Sequence, residues 1–310
     1  MTTTLITGVR GFCGQHLARH LSTETGVRLV GIGRGANASS GLRLDEYLTV
    51  DMSREDQVVH AIERIRPDHV FHLAGLVRAA PAELYRVNLL GVIHLMESVR
   101  KFAPEASVLV VGSAAEYGKV DSADLPIDEA QLCRPFGAYA LSKHAMTSAA
   151  LDYAQTHSMK VVVVRPFNII GAGVPDSLVV GAILQRIKQG TDGEPIVRIG
   201  NLDTQRDFVA VEDVVRAYSQ LLGTDSWGQV FNICCGQPRS IRWVAERLIS
   251  FSPHSLRLES DSSLKRPTDV PVVYGSCQKL HRLLDFRPST DLDRTLQAAW
   301  HHRMGAVACA

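Results

Sequence analysis

Tyr139 and Lys143 stand four residues apart in FGAYALSKHAM, and Ser113 closes the apolar run SVLVVGS. On a helix, residues i and i+4 share a face. A lysine ammonium beside a phenol favours the tyrosinate and draws its pKa down from about 10, while a serine hydroxyl can hydrogen-bond the same substrate oxygen. The three side chains are parts for moving a proton onto a carbonyl oxygen. A Tyr/Lys pair at this spacing also occurs by chance on a surface helix, so its weight depends on the elements around it.

Those elements begin at the N-terminus. In TTLITGVRGFCGQHLARHL a short strand, Thr3–Ile6, runs into Gly8, Gly11 and Gly14 and then into a helix with apolar Phe12, Leu17 and Leu21. Glycines let a backbone turn tightly against a pyrophosphate, whose charge the amides of the following helix bind. The GxxGxxG spacing is one residue wider at its first gap than the usual dinucleotide fingerprint. Its place between a strand and a helix marks a dinucleotide site rather than a structural turn.

Strand-like runs recur at Thr3–Ile6, Leu29–Ile32, Leu48–Val50, His69–Leu73, Val108–Val111, Val161–Arg165 and Val230–Ile233, with helical patterns at Glu55–Ile65, Ala82–Phe102, Ala138–His157 and Val211–Leu222. This alternation predicts an α/β fold, a doubly wound parallel sheet of Rossmann type. After Phe167 the texture changes to the Gly/Pro-rich stretches GAGVPDS and QGTDGEP, and basic clusters follow near Arg206 and Lys265–Arg266. A smaller C-terminal substrate-binding domain is expected there. Residues 1–165, joined by 207–234, form the expected dinucleotide-binding domain, and 166–206 with 235–310 the expected substrate domain.

The second strand ends in GIGRGANAS, with Arg34 and no acid before Asp45. An acid there holds the ribose 2′-hydroxyl of NAD, whereas an arginine accommodates the 2′-phosphate of NADP. Arg34 therefore favours NADP(H), with NAD(H) as the substitute if Arg34 is only a solvated loop charge. Asp51 is a candidate for the adenine. Leu73–Ala74–Gly75 would either let the chain pass close to a cofactor or serve plain helix–strand packing.

Composition narrows the class. A chain of 310 residues, 45% hydrophobic and 21% charged, can bury one large core or two that adjoin. A net charge of +1 gives no bulk attraction to nucleic acid or anionic membrane. Neither a signal-peptide pattern nor an apolar run of membrane length is present, and a cytoplasmic location is expected. Cys13, Cys133, Cys234, Cys235, Cys277 and Cys309 lack CxxC spacing and read as buried thiols, with no metal site expected.

Together TGxxGFxG, FHLAG, GSAAEYG, YALSK, RPFN and RPTDVP resemble the extended short-chain dehydrogenase/reductases of nucleotide sugars, from residue 2 to about residue 298. Within that family the sequence is most similar to the GDP-6-deoxy-D-mannose reductases, which make GDP-D-rhamnose from a 4-keto sugar. The 4,6-dehydratases and 4-epimerases share the frame. The resemblance implies that Tyr139 is the general acid at the sugar O4, that Lys143 binds the nicotinamide ribose, and that Ser113 polarises the carbonyl. It places Arg10, Phe12, Met52, Leu73, Ala74 and Pro166 with the glycines, Arg34 and Asp51 around the cofactor. It further implies Asn168, Arg206 and Arg266 at the sugar diphosphate and Asp269, where relatives usually carry a glutamate, at the nucleotide ribose. Dehydratases of the family place an acidic base two residues after the active-site Ser/Thr, and Ala115 stands there, with Glu116 one residue later. A homodimer through the 82–102 and 138–157 helices is expected, because helix faces that cannot all meet the sheet need a partner.

Overall fold

The computed structural model describes residues 1–35, 41–265, 270–289 and 291–305. Its principal sheet has seven strands. Six of them are β1 (Thr2–Thr7), β2 (Val27–Gly33), β3 (Glu46–Thr49), β4 (His69–His72), β5 (Ser107–Val111) and β6 (Lys160–Pro166). The seventh, Val230–Ile233, lies beside β6, and the spatial order runs from it through β6, β5, β4, β1 and β2 to β3. Every neighbouring pair is parallel. Strands buried on both faces need near-continuous apolar runs, and VVVV at 161–164 is fully buried.

Helices cover both faces. Glu55–Ile65, Gly91–Phe102 and Gly137–His157 pack on one side around Val92, Leu95, Met96, Met146 and Ala150, and Phe12–Leu21 with Val211–Leu222 packs on the other around Leu17, Val214 and Tyr218. The strand order reverses between β1 and β4, and ligands in such sheets bind outside the carboxyl ends of the strands at that point. β1, β4 and β5 all deliver their C-terminal residues there.

All seven sequence-predicted strands of this sheet are present. Two departures are informative. The helix expected over 82–102 is interrupted by a π-helical segment, Tyr85–Leu90, that carries the fully buried Asn88. In the region read as Gly/Pro-rich loops, Val179–Asp192 forms a helix whose Val180, Ile183, Leu184 and Ile187 are buried. Their i, i+3, i+4, i+7 spacing is a helical signal that the flanking glycines and prolines obscured. Short strands 168–170, 205–210, 238–240 and 272–273 make a second sheet centred on 205–210, and 196–199 pairs in parallel with 257–260. A separate core, including Leu184, Phe208, Val244 and Trp300, fills this part.

Candidate active site

β1 runs directly into Gly8, whose φ of +70° only glycine adopts readily. A Cβ at Gly8 would lie 2.7 Å from the Ala74 amide nitrogen, and one at Gly14 would lie 2.3 Å from the Gly8 carbonyl oxygen. The turn closes through the Gly11 amide, which donates to the Gly8 carbonyl at 2.8 Å. No side chain caps the Phe12–Leu21 helix that follows, so its first turn has no side-chain acceptor of its own. That arrangement fits a dinucleotide pyrophosphate. The Leu73–Ala74 backbone passes so close to Gly8 that a side chain there would strike it, which the packing of the two strand ends requires. Thr7 ties the two strand ends together: its Oγ1 lies 2.9 Å from His72 Nδ1 and accepts from the Ala74 amide at 3.2 Å.

At the end of β2 Arg34 is exposed, and the Arg10 guanidinium donates to its carbonyl at 2.9 Å. Asp51 accepts from the amide and hydroxyl of Ser53 at 2.9 and 2.8 Å. Burial works against the Asp51 charge, but the Ser53 hydrogen bonds and the cations of Arg86 and Arg34 outweigh it and hold the carboxyl below its ordinary range. Met52 is buried beneath, its carbonyl 3.1 Å from His94 Nδ1.

Ser113 follows β5 as the N-cap of the single turn Ala114–Tyr117. Its Oγ accepts from the Ala115 amide at 3.2 Å, and its own amide donates to Glu116 Oε1 at 2.8 Å. Tyr139 and Lys143 lie in the first two turns of the Gly137–His157 helix, which brings the Tyr139 phenol near the Ser113 side chain. The fold thus assembles the trio from two elements. Burial raises the Tyr139 phenol above its ordinary 10, and the Ser113 hydrogen bond draws it partway back. The sequence reading has Lys143 lowering this phenol; in the structure its ammonium donates to the Val111 carbonyl at 2.6 Å, and Lys143 is not among the groups that shift Tyr139. Lys143 is itself buried, which lowers its pKa to about 8.

Asn88 is a site residue that sequence reasoning missed. Its Oδ1 accepts from the Leu76 amide at 2.8 Å, and its Nδ2 donates to the Leu76 carbonyl and to Ser142 Oγ, each at 3.0 Å. Asn88 therefore fixes the chain after β4 against the helix turn that carries Lys143. A lone Asn inside the apolar run VNLLGV was the available signal, and π segments recur at functional sites.

On the other side of the strand ends, Asn168 and Arg206 occupy neighbouring strands, where Asn168 pairs with Phe208 and donates to the Asp207 carbonyl at 2.8 Å. Arg206 is half-buried and donates to the carbonyls of Gln205 and Val270, both at 2.8 Å. Asp207, also missed from sequence, is fully buried and accepts from the amides of Cys235, Gly236 and Gly275 at 2.7, 2.8 and 3.2 Å. Burial pushes its pKa up to about 6 against those three bonds. Phe12 is half-buried edge-on to His16, and Pro166 is buried opposite Ile233. Arg266 and Asp269 lie outside the described residues. Cys13, Cys133, Cys234, Cys235 and Cys277 are free thiols. Among the described residues, no helix is long and apolar enough to cross a membrane.

Residues 4–234 match the NAD dependent epimerase/dehydratase family. The chain belongs to that family. It is a nicotinamide-dependent enzyme of the nucleotide-sugar reductase, epimerase and dehydratase group, as the motifs implied. It is 31% identical to a GDP-6-deoxy-D-mannose reductase of Pseudomonas aeruginosa, over 96% of this chain and 97% of that protein. It is 26% identical to a GDP-6-deoxy-D-talose 4-dehydrogenase of Aggregatibacter actinomycetemcomitans, over 97% of each. The solved structure of RMD from Pseudomonas aeruginosa complexed with NADPH superposes with a TM-score of 0.81 at 29% identity, covering 97% of this chain and 98% of that one.

Proposed function

We propose that this enzyme uses NADPH to reduce the C4 ketone of a nucleotide-linked 4-keto-6-deoxyhexose, with GDP-4-keto-6-deoxy-D-mannose as substrate and GDP-D-rhamnose as product. The observation that carries this reading is the placement of carboxylates around the trio. Ala115 stands where an eliminating relative has its base. The nearest acid, Glu116, is fully buried and paired with Arg165 Nε at 3.0 Å, so it is not presented at the strand ends. A ketone already at C4 needs a hydride and a proton only, and this site has a proton donor. The family resemblance and the similarity to a GDP-6-deoxy-D-mannose reductase support the guanine nucleotide.

In this reading Gly8, Gly11 and Gly14 hold the cofactor's pyrophosphate, Arg10 and Arg34 its 2′-phosphate, and Asp51 with Met52 its adenine. Phe12, Leu73, Ala74 and Pro166 wall the rest. The bound nicotinamide supplies the hydride. Tyr139 gives its phenolic proton to O4, Ser113 polarises the same oxygen, and Lys143 holds the nicotinamide ribose. Asn168, Arg206 and Arg266 hold the sugar diphosphate, guanidinium forks being suited to phosphate oxygens, and Asp269 the nucleotide ribose. Residues 1–165 and 207–234 form the NADP-binding domain, and 166–206 with 235–310 the nucleotide-sugar domain. The protein works in the cytoplasm as a homodimer whose helices 81–102 and 137–157 make a four-helix bundle. Leu90 and Leu141, each 42% exposed on these helices, suit such a contact. Light scattering that shows a monomer at micromolar concentration would count against the dimer.

The deciding experiment follows absorbance of reduced cofactor with GDP-4-keto-6-deoxy-D-mannose and with GDP-D-mannose, and identifies products by mass and proton coupling. Oxidation of NADPH with the ketone alone is expected. Conversion of GDP-D-mannose to its 4-keto-6-deoxy form would make the enzyme a dehydratase, interconversion of C4 epimers without net cofactor use an epimerase, and activity only with a dTDP-linked ketone would replace the substrate.

A further inference from the structure

Glu116 is more thoroughly enclosed than a turn cap requires. It is fully buried, and each carboxylate oxygen is committed: Oε1 accepts from the Ser113 amide at 2.8 Å and from Thr147 Oγ1 at 3.0 Å, and Oε2 accepts from Arg165 Nε at 3.0 Å. Arg165 is buried as well and stacks over the Tyr117 ring at 4.8 Å. Thr147 sits one helical turn beyond Lys143, two turns from Tyr139. The carboxylate thus joins the two elements that carry the catalytic trio, β5 with its turn and the Gly137–His157 helix. Burying an ion pair is costly, and a neutral Gln could cap the same turn. The charge itself calls for a role.

We propose that Glu116 is a positioning residue for the reduction, fixing the amide of Ser113 and placing a buried negative charge beneath Ser113 and Tyr139 that keeps the phenol in its proton-donating form. The proposal rests on the reductase reading, since only a reductase needs Tyr139 to enter the reaction protonated. The electrostatics run in that direction: after burial itself, the Glu116 charge raises the Tyr139 phenol, and it also supports the charged form of Lys143 against the burial that lowers it. Other titratable groups facing these two are Cys13 and Tyr218 from the opposite face, and Cys133, His144 and Arg165 around the carboxylate. Glu116, Cys133 and His144 offer atoms within 4.8 Å of one another, but Arg165 already occupies the carboxylate and burial raises the Cys133 thiol, so the cluster favours an ion pair over a metal cation.

The test is Glu116→Gln, which keeps the shape and removes the charge, together with Glu116→Gln/Arg165→Gln, which leaves no unpaired buried cation if the single variant is unstable. Ultraviolet phenolate titration of each protein against the same protein carrying Tyr139→Phe isolates Tyr139 without any substrate. The expected result is a lower Tyr139 midpoint in the single variant, read as a larger phenolate fraction at fixed pH, and a lower midpoint also in the double variant. The alkaline fall of kcat for the 4-keto sugar nucleotide should move with it. An unchanged midpoint in both variants overturns the proposal, even where turnover or thermal stability falls. A shifted midpoint in a protein that reduces no ketone would instead retain the electrostatic assignment and overturn the reductase reading.

Discussion

The guanidinium of Arg10 donates to the carbonyl of Arg34 at 2.9 Å, which sets a cation from the glycine turn beside one from the end of β2. In the proposed cofactor reading both stand where a protein selecting the ribose 2′-hydroxyl would have an acid. NADPH is expected to bind at least tenfold more tightly than NADH, and Arg34→Asp to reverse the order by replacing attraction for the 2′-phosphate with repulsion. Cofactor titration by fluorescence checks this. Equal affinities in the unaltered enzyme would remove Arg34 and Arg10 from the selection.

Tyr139→Phe removes one hydroxyl from a half-buried ring and leaves the helix packing unchanged. Turnover is expected to fall by about a hundredfold or more, the scale of a lost general acid, with nucleotide-sugar affinity nearly intact. Steady-state kinetics beside a direct binding measurement separate the two effects. An unaltered kcat would mean that another group delivers the proton.

The principal sheet was legible because its strands are apolar runs of the right length, and the trio because Tyr139 and Lys143 are i, i+4 on a helix whose period is fixed. What the sequence hid depends on contacts between distant segments. Asn88 matters through Leu76 and Ser142, and Asp207 through three amides, two of them at 235–236 and one at 275. The direction of the Lys143 ammonium was also hidden. Helix geometry places it near Tyr139, but the Val111 carbonyl, from a strand 32 residues earlier, takes its hydrogen bond. Glu116, one residue past Ala115, lies in a tight turn and is held inside the fold by its pairing with Arg165, a residue of a strand 49 positions later.

Asn88→Ala would leave the half-buried Leu76 amide without its side-chain acceptor and remove the donor to Ser142 Oγ, which keeps its own bond to the Tyr139 carbonyl. A loss of about 1–2 kcal/mol in unfolding free energy is expected from the hydrogen bonds lost with the fully buried Asn88 side chain and the space left behind. Urea denaturation measures it. Because the same contacts hold the turn carrying Lys143, kcat should fall as well in the fraction that remains folded, whereas a purely structural Asn88 would leave kcat per folded molecule unchanged.

His72 gives the fold a defined acid weakness. Its ring is fully buried at the end of β4, Nδ1 is engaged with Thr7 Oγ1, and Nε2 has no hydrogen-bond partner among the described residues. Burial, and then the nearby Lys143 charge, lower its pKa from the ordinary 6.5 to about 3. Between those values the unfolded chain binds a proton at this position that the folded chain refuses, so stability falls as pH drops from 6.5 toward 3. His72→Asn offers Thr7 a polar partner without a titrating ring. Relative to the variant, the unaltered protein should lose about 2 kcal/mol more in unfolding free energy between pH 6.5 and 4.5. Asp207, whose folded pKa of about 6 lies above its ordinary value, contributes stability at low pH that is lost as pH rises through 6, the opposite slope. It is common to both proteins and cancels in the difference. Denaturant titrations of the pair at several pH values read that difference directly, and parallel curves would show that His72 protonates in the folded state at an ordinary pH.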